Sequence, residues 1–324
     1  KNLNTSASAF VSTNSICQGE QVSMLWPHIF KNNIGIHFAY QSFKWQNNAK
    51  SNANVIVVII GLSIKKNQKK FLINKYKNYV QNINAYLIDS ANIFILPRNK
   101  PLSEFPKMTL GSMAKDDGNF FLNVNQRKTL IESNPNSKKF IKQTLGSSEF
   151  LRGENKWCLW IEDEYLAEAS KVPFIKDRLN NIIKFRLSSK AKSTSDYAKF
   201  PNRFKQRTHQ NNNSIIIPRV SSERRKYIPS GFLNKDVVIK DSAFAIYNAT
   251  PFVFSIINSG MHMSWMKTVA GRLKSDYRYS SSLCYNTFPF PTISNQRKEE
   301  LTQCTLKIID ERLKHSEKTL AQLY

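Results

Sequence analysis

Acidic residues are scarce in this sequence. Asp and Glu number 23 against 48 Lys and Arg, giving a formal net charge of +25 and an isoelectric point near 9.9. Glycine is scarce as well. The ten glycines are single and scattered, so the GxGxxG dinucleotide loop, the GxxxxGK phosphate loop and the GxSxG nucleophile elbow are all absent. The four cysteines, Cys17, Cys158, Cys284 and Cys304, have no CxxC spacing, which argues against a disulfide framework and a zinc site. No apolar run approaches the ~20 residues that span a bilayer; the longest is Val55 to Leu62. Lys1 to Phe10 is polar and shows no secretory leader. These absences point to a reducing cytoplasm, with no membrane partner and no metal.

What is present suits a folded protein with a polyanionic partner. Hydrophobic residues make up 41% and aromatics 12%, enough to bury a core. The length of 324 residues allows two domains, or one domain with a large addition. An A/T-rich genome inflates Lys but does not account for clustered Arg. Between Lys171 and Lys240 there are 17 Lys and Arg against four acids. A run of this kind is often a solvated helix face, but clustering over 70 residues favours phosphate contact.

The pattern of apolar residues gives an outline. Phe10–Ile16 reads as a strand and Gln18–Ile29 as a helix, with Val22, Leu25, Trp26 and Ile29 at helical spacing. Ile36–Trp45 alternates like a strand, Gln46–Asn52 is a turn, and Val55–Leu62 is a buried strand. Lys65–Asn78 reads as a linker or exposed helix, Ile83–Leu96 as strand-like, and Pro97–Pro106 as a loop. Gln126–Ser133, Ser137–Leu145 and Tyr165–Lys192 read as helices, with Lys156–Ile161 a short strand. Short strands follow at Ile215–Ile217, within Phe232–Val238 and at Ala243–Ile246. Thr250–Met266 and Asn295–Leu313 read as helices. The chain opens at Lys1 and soon enters an apolar segment, so its start is expected to fall inside a domain.

Two segments carry recognition chemistry. SSERRKYIP (Ser221–Pro229) sets hydroxyls, a carboxylate and two guanidiniums together; Arg suits guanine edges and Glu accepts from cytosine. A surface loop with a local ion pair is the reading that composition alone favours. GRLKSDYRYS (Gly271–Ser280) interleaves Arg272, Lys274 and Arg278 with Tyr277 and Tyr279, which suits phosphate contact and stacking. The other reading is a polar loop whose tyrosines pack on the core. His262 lies among Met261, Met263, Trp265 and Met266, a setting that reads as core.

The order of motifs resembles one family. FVSTNSICQGEQV (Phe10–Val22), FAYQSFKWQNNAK (Phe38–Lys50) and VIVVIIG (Val55–Gly61) resemble the late methyltransferase motifs of MmeI-like restriction–modification enzymes. FLRGENKWCLWI (Phe150–Ile161), PRVSSERRKYIPSGFL (Pro218–Leu233) and MHMSWMKTVAGRLKSDYRYS (Met261–Ser280) resemble their target-recognition region. YNTFPFP (Tyr285–Pro291) and TLAQLY (Thr319–Tyr324) resemble the end of that region and the C-terminal helical segment. The resemblance implies an α/β and α+β architecture: the C-terminal remnant of a Rossmann-like methyltransferase sheet (1–80), a mixed α+β recognition domain (81–292) and a short helical tail (293–324).

It also implies an adenine-N6 DNA methyltransferase that uses S-adenosylmethionine and flips its target base. Phe43, in SFKW, is then the residue that stacks on that base; a core phenylalanine is the equal alternative. The implied duplex-DNA contacts are Arg219, Ser221, Ser222, Glu223, Arg224, Arg225, Arg272, Lys274, Tyr277 and Arg278. The family's donor-binding glycine motif and its Asn-Pro-Pro-aromatic motif do not occur; Ser133-Asn134-Pro135-Asn136 lacks the second proline and the aromatic. The chain alone is therefore expected to bind neither the methyl donor nor to transfer the methyl group, and a separate N-terminal catalytic half is the implied partner. A stand-alone specificity subunit and an RNA-binding protein are the alternatives.

Overall fold

A computed structural model describes residues 7–45, 55–64 and 69–324. The chain forms two compact units. The first comprises Lys1–Glu104, Val220–Arg225 and Gly260–Thr292; the second comprises Phe105–Arg219, Lys226–Ser259 and Ile293–Tyr324.

In the first unit, strand β1 (Ala7–Thr13) leads to helix α1 (Glu20–Lys31), then β2 (Gly35–Lys44), β3 (Ile56–Ser63), β4 (Lys70–Ile73) and β5 (Lys77–Val80). The five strands order β1-β3-β2-β4-β5. β3 lies inside and runs antiparallel to both β1 and β2. Its sequence IVVIIGLS is rich in β-branched residues and buries both faces, as a central strand must. Helix α1 buries Val22 and Trp26 against this sheet, and Trp26 Nε1 donates to the Ile16 carbonyl at 2.7 Å. The expected turn at Gln46–Asn52 lies outside the described residues.

Two expectations fail here. The described part of Lys65–Asn78 is neither linker nor helix, because β4 and β5 form an antiparallel hairpin on the parallel neighbour β2. Its alternation is interrupted by lysines, one of which sets its ammonium over an aromatic ring: Lys77 Nζ lies 4.3 Å from the Phe71 ring centroid. Ile83–Leu96 buries Ile83, Asn84, Ala85 and Leu87, and it is not a strand. The Asn84 side chain accepts from the N–H groups of Tyr86 and Ile88, and Leu87 is left-handed at φ 57°. Backbone groups satisfied within the segment need no ladder.

The second unit starts with β6 (Met108–Leu110), β7 (Phe121–Leu122), α2 (Val124–Ser133), β8 (Ile141–Leu145), α3 (Ser147–Arg152) and β9 (Trp157–Leu159). Helices α4 (Leu166–Ala169), α5 (Pro173–Leu187) and α6 (Lys192–Ser195) follow, and then β10 (Ser214–Pro218). The chain next contributes β11 (Val220–Ser221) to the first unit. It returns as β12 (Gly231–Leu233), β13 (Val237–Ile239), β14 (Ala243–Tyr247) and α7 (Pro251–Ile257). Helix α8 (Gly260–Val269) and strands β15 (Gly271–Leu273) and β16 (Asp276–Arg278) belong to the first unit; α9 (Asn295–Leu313) and α10 (Leu320–Leu323) close the second. The second unit holds two four-stranded sheets, β12-β10-β14-β6 and β13-β8-β9-β7.

Three helix expectations need correction. Ser137–Leu145 is a 3-10 turn running into β8, whose buried Thr144 donates its hydroxyl to Val238 at 2.9 Å. Tyr165–Lys192 is broken at Val172–Pro173, since a residue before proline avoids the helical region. Thr250–Met266 is two helices, α7 and α8.

One side chain ties much of this unit together. Arg186, on α5, is fully buried. Its guanidinium donates to the carbonyls of Lys115 (2.9 Å), Ala114 (2.9 Å), Phe200 (2.8 Å) and Arg203 (2.8 Å). A planar five-donor fork suits four converging carbonyls; an ammonium does not. Replacing Arg186 with Met strands those buried acceptors and is expected to destabilise the unit by at least about 3 kcal/mol. Arg186→Lys should recover only part of this. Urea denaturation checks both, and a loss below about 1 kcal/mol for the Met variant would contradict this role.

Candidate nucleic-acid interface

The two recognition segments meet in a small sheet. β11 pairs with β16 in the register Val220↔Arg278 and Ser221↔Tyr277, and β16 pairs with β15. GRLKSDYRYS is thus a hairpin rather than a loop. Its turn places Lys274 at φ 59°, a left-handed position unusual for a side-chain-bearing residue. Tyr277 is buried, and the Arg272 guanidinium lies 3.8 Å from its ring centroid. Arg272 Nη1 also donates to the Ser275 carbonyl at 3.0 Å. Tyr277 therefore seats Arg272 and offers no open stacking face. Tyr279 is buried too, with its hydroxyl 2.9 Å from His262 Nε2, so both belong to the core as the packing alternative held.

The other residues fall into distinct settings. Ser221 is buried within β11. The Ser222 hydroxyl accepts from the Arg224 N–H at 3.3 Å, which shapes the turn. Glu223, Arg224, Lys274 and Arg278 are exposed. Arg225 is half-buried and reaches the Ser221 hydroxyl at 3.5 Å rather than Glu223. Arg219 belongs to the second unit, where Nη1 donates to the Asp241 carbonyl at 2.9 Å; it does not join the others.

A cavity of about 250 Å³ in the first unit brings three of the candidate residues together. Its walls include Phe43, Glu223 and Arg272, together with Asn14, Gln18 and Ser275. Phe43 stands near the end of β2, opposite Val57, just after a register shift that begins at Tyr40. Such irregularities re-aim side chains at the ends of strands. Gln18 Oε1 and Arg272 Nε are buried without a hydrogen-bond partner among the described residues. Unsatisfied polar atoms on a cavity wall are what a hydrogen-bonding ligand would complete. The volume lies below the ~300–1,000 Å³ of pockets for drug-sized ligands, so it suits a single ring system. Asn14 and Gln18 carried no signal in the sequence beyond being polar residues next to a strand. No group of three or more His, Cys, Asp or Glu that could hold a metal occurs among the described residues, and no helix there is long and apolar enough to cross a membrane.

The family model described as the MmeI target recognition domain matches residues 89–292. The chain belongs to the MmeI family. A second model, the MmeI DNA-methyltransferase domain, matches residues 1–74. DNA methyltransferase A of Bacillus subtilis (strain 168) is 43% identical over 319 residues, covering 98% of this chain and 36% of that protein. A solved structure of the Type IIL restriction-modification enzyme MmeI in complex with DNA superposes with a TM-score of 0.93 at 36% identity, covering 98% of this chain and 43% of that one. The chain thus spans 36% and 43% of the length of these two relatives. The fold is the expected one for the family: a methyltransferase sheet portion with mixed α+β recognition structure.

In this MmeI-type chain the approach of the hairpin to the sheet portion depends on Gly19. It has φ 58° and ψ −148°, a region open essentially to glycine alone. A Cβ there would lie 3.2 Å from Gly271 Cα. Gly19→Ala is therefore expected to cost about 1–3 kcal/mol and to loosen the hairpin. Thermal denaturation, with amide exchange at Gly271–Arg278, reads both. An unchanged melting point and unchanged protection would refute it.

Proposed function

We propose that this chain is the DNA-reading part of an S-adenosylmethionine-dependent adenine-N6 methyltransferase from a restriction–modification system. It binds duplex DNA sequence-specifically, and the cavity beside Phe43 receives the flipped target adenine. The observation that supports this reading is the convergence of Phe43 on one cavity with Glu223 and Arg272, which lie some 180 and 230 residues further along the sequence. The Phe43 ring supplies a stacking surface, Gln18 Oε1 an acceptor for an amino group, and Arg272 and Glu223 a donor and an acceptor. The exposed Arg224, Lys274 and Arg278 then supply contacts to phosphates or base edges around it.

The chain's own residues do not fit the methyl donor. The cavity beside Phe43 is sized for one ring, and the glycine loop that would cradle the donor is absent from the sequence. Donor binding is assigned to the rest of the longer enzyme, the missing N-terminal catalytic half, which is the proposed protein partner; no step of transfer is assigned to residues of this chain. By role, residues 1–80 belong to the methyltransferase portion, 81–292 to recognition and 293–324 to the tail. The compact units interleave these roles, since Val220–Arg225 and Gly260–Thr292 pack with the first.

The test is titration of the 324-residue chain with duplex DNA and with single-stranded RNA at several salt concentrations. Duplex is expected to bind more tightly, with affinity falling steeply as salt rises. Arg224→Ala or Arg225→Ala should cost ~1–3 kcal/mol at one base position if the contact is bidentate. Tighter binding to single-stranded RNA would sink the proposal.

A further inference from the structure

No acidic residue occurs between Glu20 and Asp89, whereas that segment holds nine lysines and no arginine. Lysine is a compact point charge that suits a single phosphate oxygen. It lacks the planar fork with which arginine reads a guanine edge. The composition therefore favours contact with a nucleic-acid backbone over contact with bases. A lysine-rich run is usually a solvated face, so the placement of its members decides.

Strands β2 and β4 run parallel, so their C-terminal ends lie at the same end of the sheet. Ligands of open α/β sheets bind outside such strand ends. The last pair in the register is Tyr40↔Ile73. One residue on, the Asn74 carboxamide donates to Gln41 Oε1 at 3.1 Å, and Gln41 Nε2 donates to the Leu87 carbonyl at 2.8 Å. Beyond this tie β2 continues through Phe43 to Lys44, while the chain after β4 turns through Lys75 and Tyr76 into β5.

The turn is held by its own asparagine. The Asn74 N–H donates to the Tyr76 carbonyl at 3.1 Å, and Asn74 Oδ1 accepts from the Tyr76 N–H at 2.9 Å. Lys75 and Tyr76 are both exposed, and Lys75 Nζ lies 5.6 Å from the Tyr76 ring centroid, within cation–π reach. Lys44 is exposed as well and lines the cavity beside Phe43. That cavity wall carries one acid, Glu223, against two cations, Lys44 and Arg272. Other lysines of the segment are engaged: Lys70 donates to Asn82 Oδ1 at 2.8 Å, and Lys77 lies over Phe71.

We propose that Lys44 and Lys75 form a phosphate clamp on the DNA strand that carries the flipped adenine. They extend from the ends of two neighbouring strands, on either side of the Gln41–Asn74 tie. Asn74 and Tyr76 are positioning residues for Lys75. The clamp holds the backbone while the base is out of the stack, and it reads no base. This rests on the base-flipping function proposed above.

The test is titration of the 324-residue chain with duplexes of several sequences, each carrying one unpaired adenine, at a series of salt concentrations. The variants are Lys44→Ala, Lys75→Ala, Lys75→Arg and Lys128→Ala. Lys128 is an exposed lysine of α2 in the second unit, paired with Glu132, and controls for the loss of a charge elsewhere. Lys44→Ala and Lys75→Ala are each expected to reduce the slope of log K against log salt by about 0.9, and to weaken binding alike for every sequence. Lys75→Arg keeps the charge and should keep the wild-type slope, which separates loss of a phosphate contact from damage to the turn. Lys128→Ala should leave the slope unchanged. An unchanged slope in either clamp alanine variant, an equal drop in Lys128→Ala, or a loss confined to certain sequences overturns the clamp alone. A wild-type chain that binds no duplex, or binds single-stranded RNA more tightly, overturns the function it rests on.

Discussion

Two backbone pairs, Val220 with Arg278 and Ser221 with Tyr277, hold the candidate interface together. They make neighbours of segments about 50 residues apart and place both in the unit that carries the methyltransferase strands. The pairing fixes the face on which Arg272 lies, and the buried Tyr277 ring gives its guanidinium a seat. Gly19 lets the hairpin approach the turn before α1. The cavity at Phe43 follows from these short-range constraints, since its walls come from both sides of that approach.

The positive charge divides into two kinds of work. Clustered Arg between 171 and 240 invites a reading as phosphate contact, yet several of these residues are spent internally. Arg178 donates to the carbonyls of Asn119 and Phe121, Arg186 to four converging carbonyls, and Arg219 to Asp241. Arg203 pairs with Asp163, and Lys240 with Glu149. The guanidiniums of Arg178, Arg186 and Arg219, engaged by carbonyls of the second unit, have little left for DNA. The exposed Arg224, Lys274 and Arg278 are not tied down in this way.

Much of the regular structure was legible because its signals are local. The α9 limits, Asn295–Leu313, match the expectation; Ser294 caps the helix by accepting from the Arg297 N–H, and the apolar spacing runs its full length. β3 was legible from its β-branched run, and β14 from its apolar content. β4–β5 were hidden because lysines interrupt the alternation, with Lys77 set over the Phe71 ring, and Ile83–Leu96 misled because the Asn84 side chain takes up backbone N–H groups in place of a ladder. The site divides in the same way. Phe43, Glu223 and Arg272 came from family resemblance and chemistry, but their meeting depends on pairing across more than 50 residues, which no local pattern encodes.

The central claim is that Phe43 and Arg272 line one base-sized cavity. A double-mutant cycle tests it most directly, with Phe43→Ala, Arg272→Met and the double variant measured for binding to a duplex that carries one unpaired adenine. Side chains that share a ligand should couple by more than about 0.5 kcal/mol. Losses that simply add, within about 0.3 kcal/mol, would contradict a shared cavity.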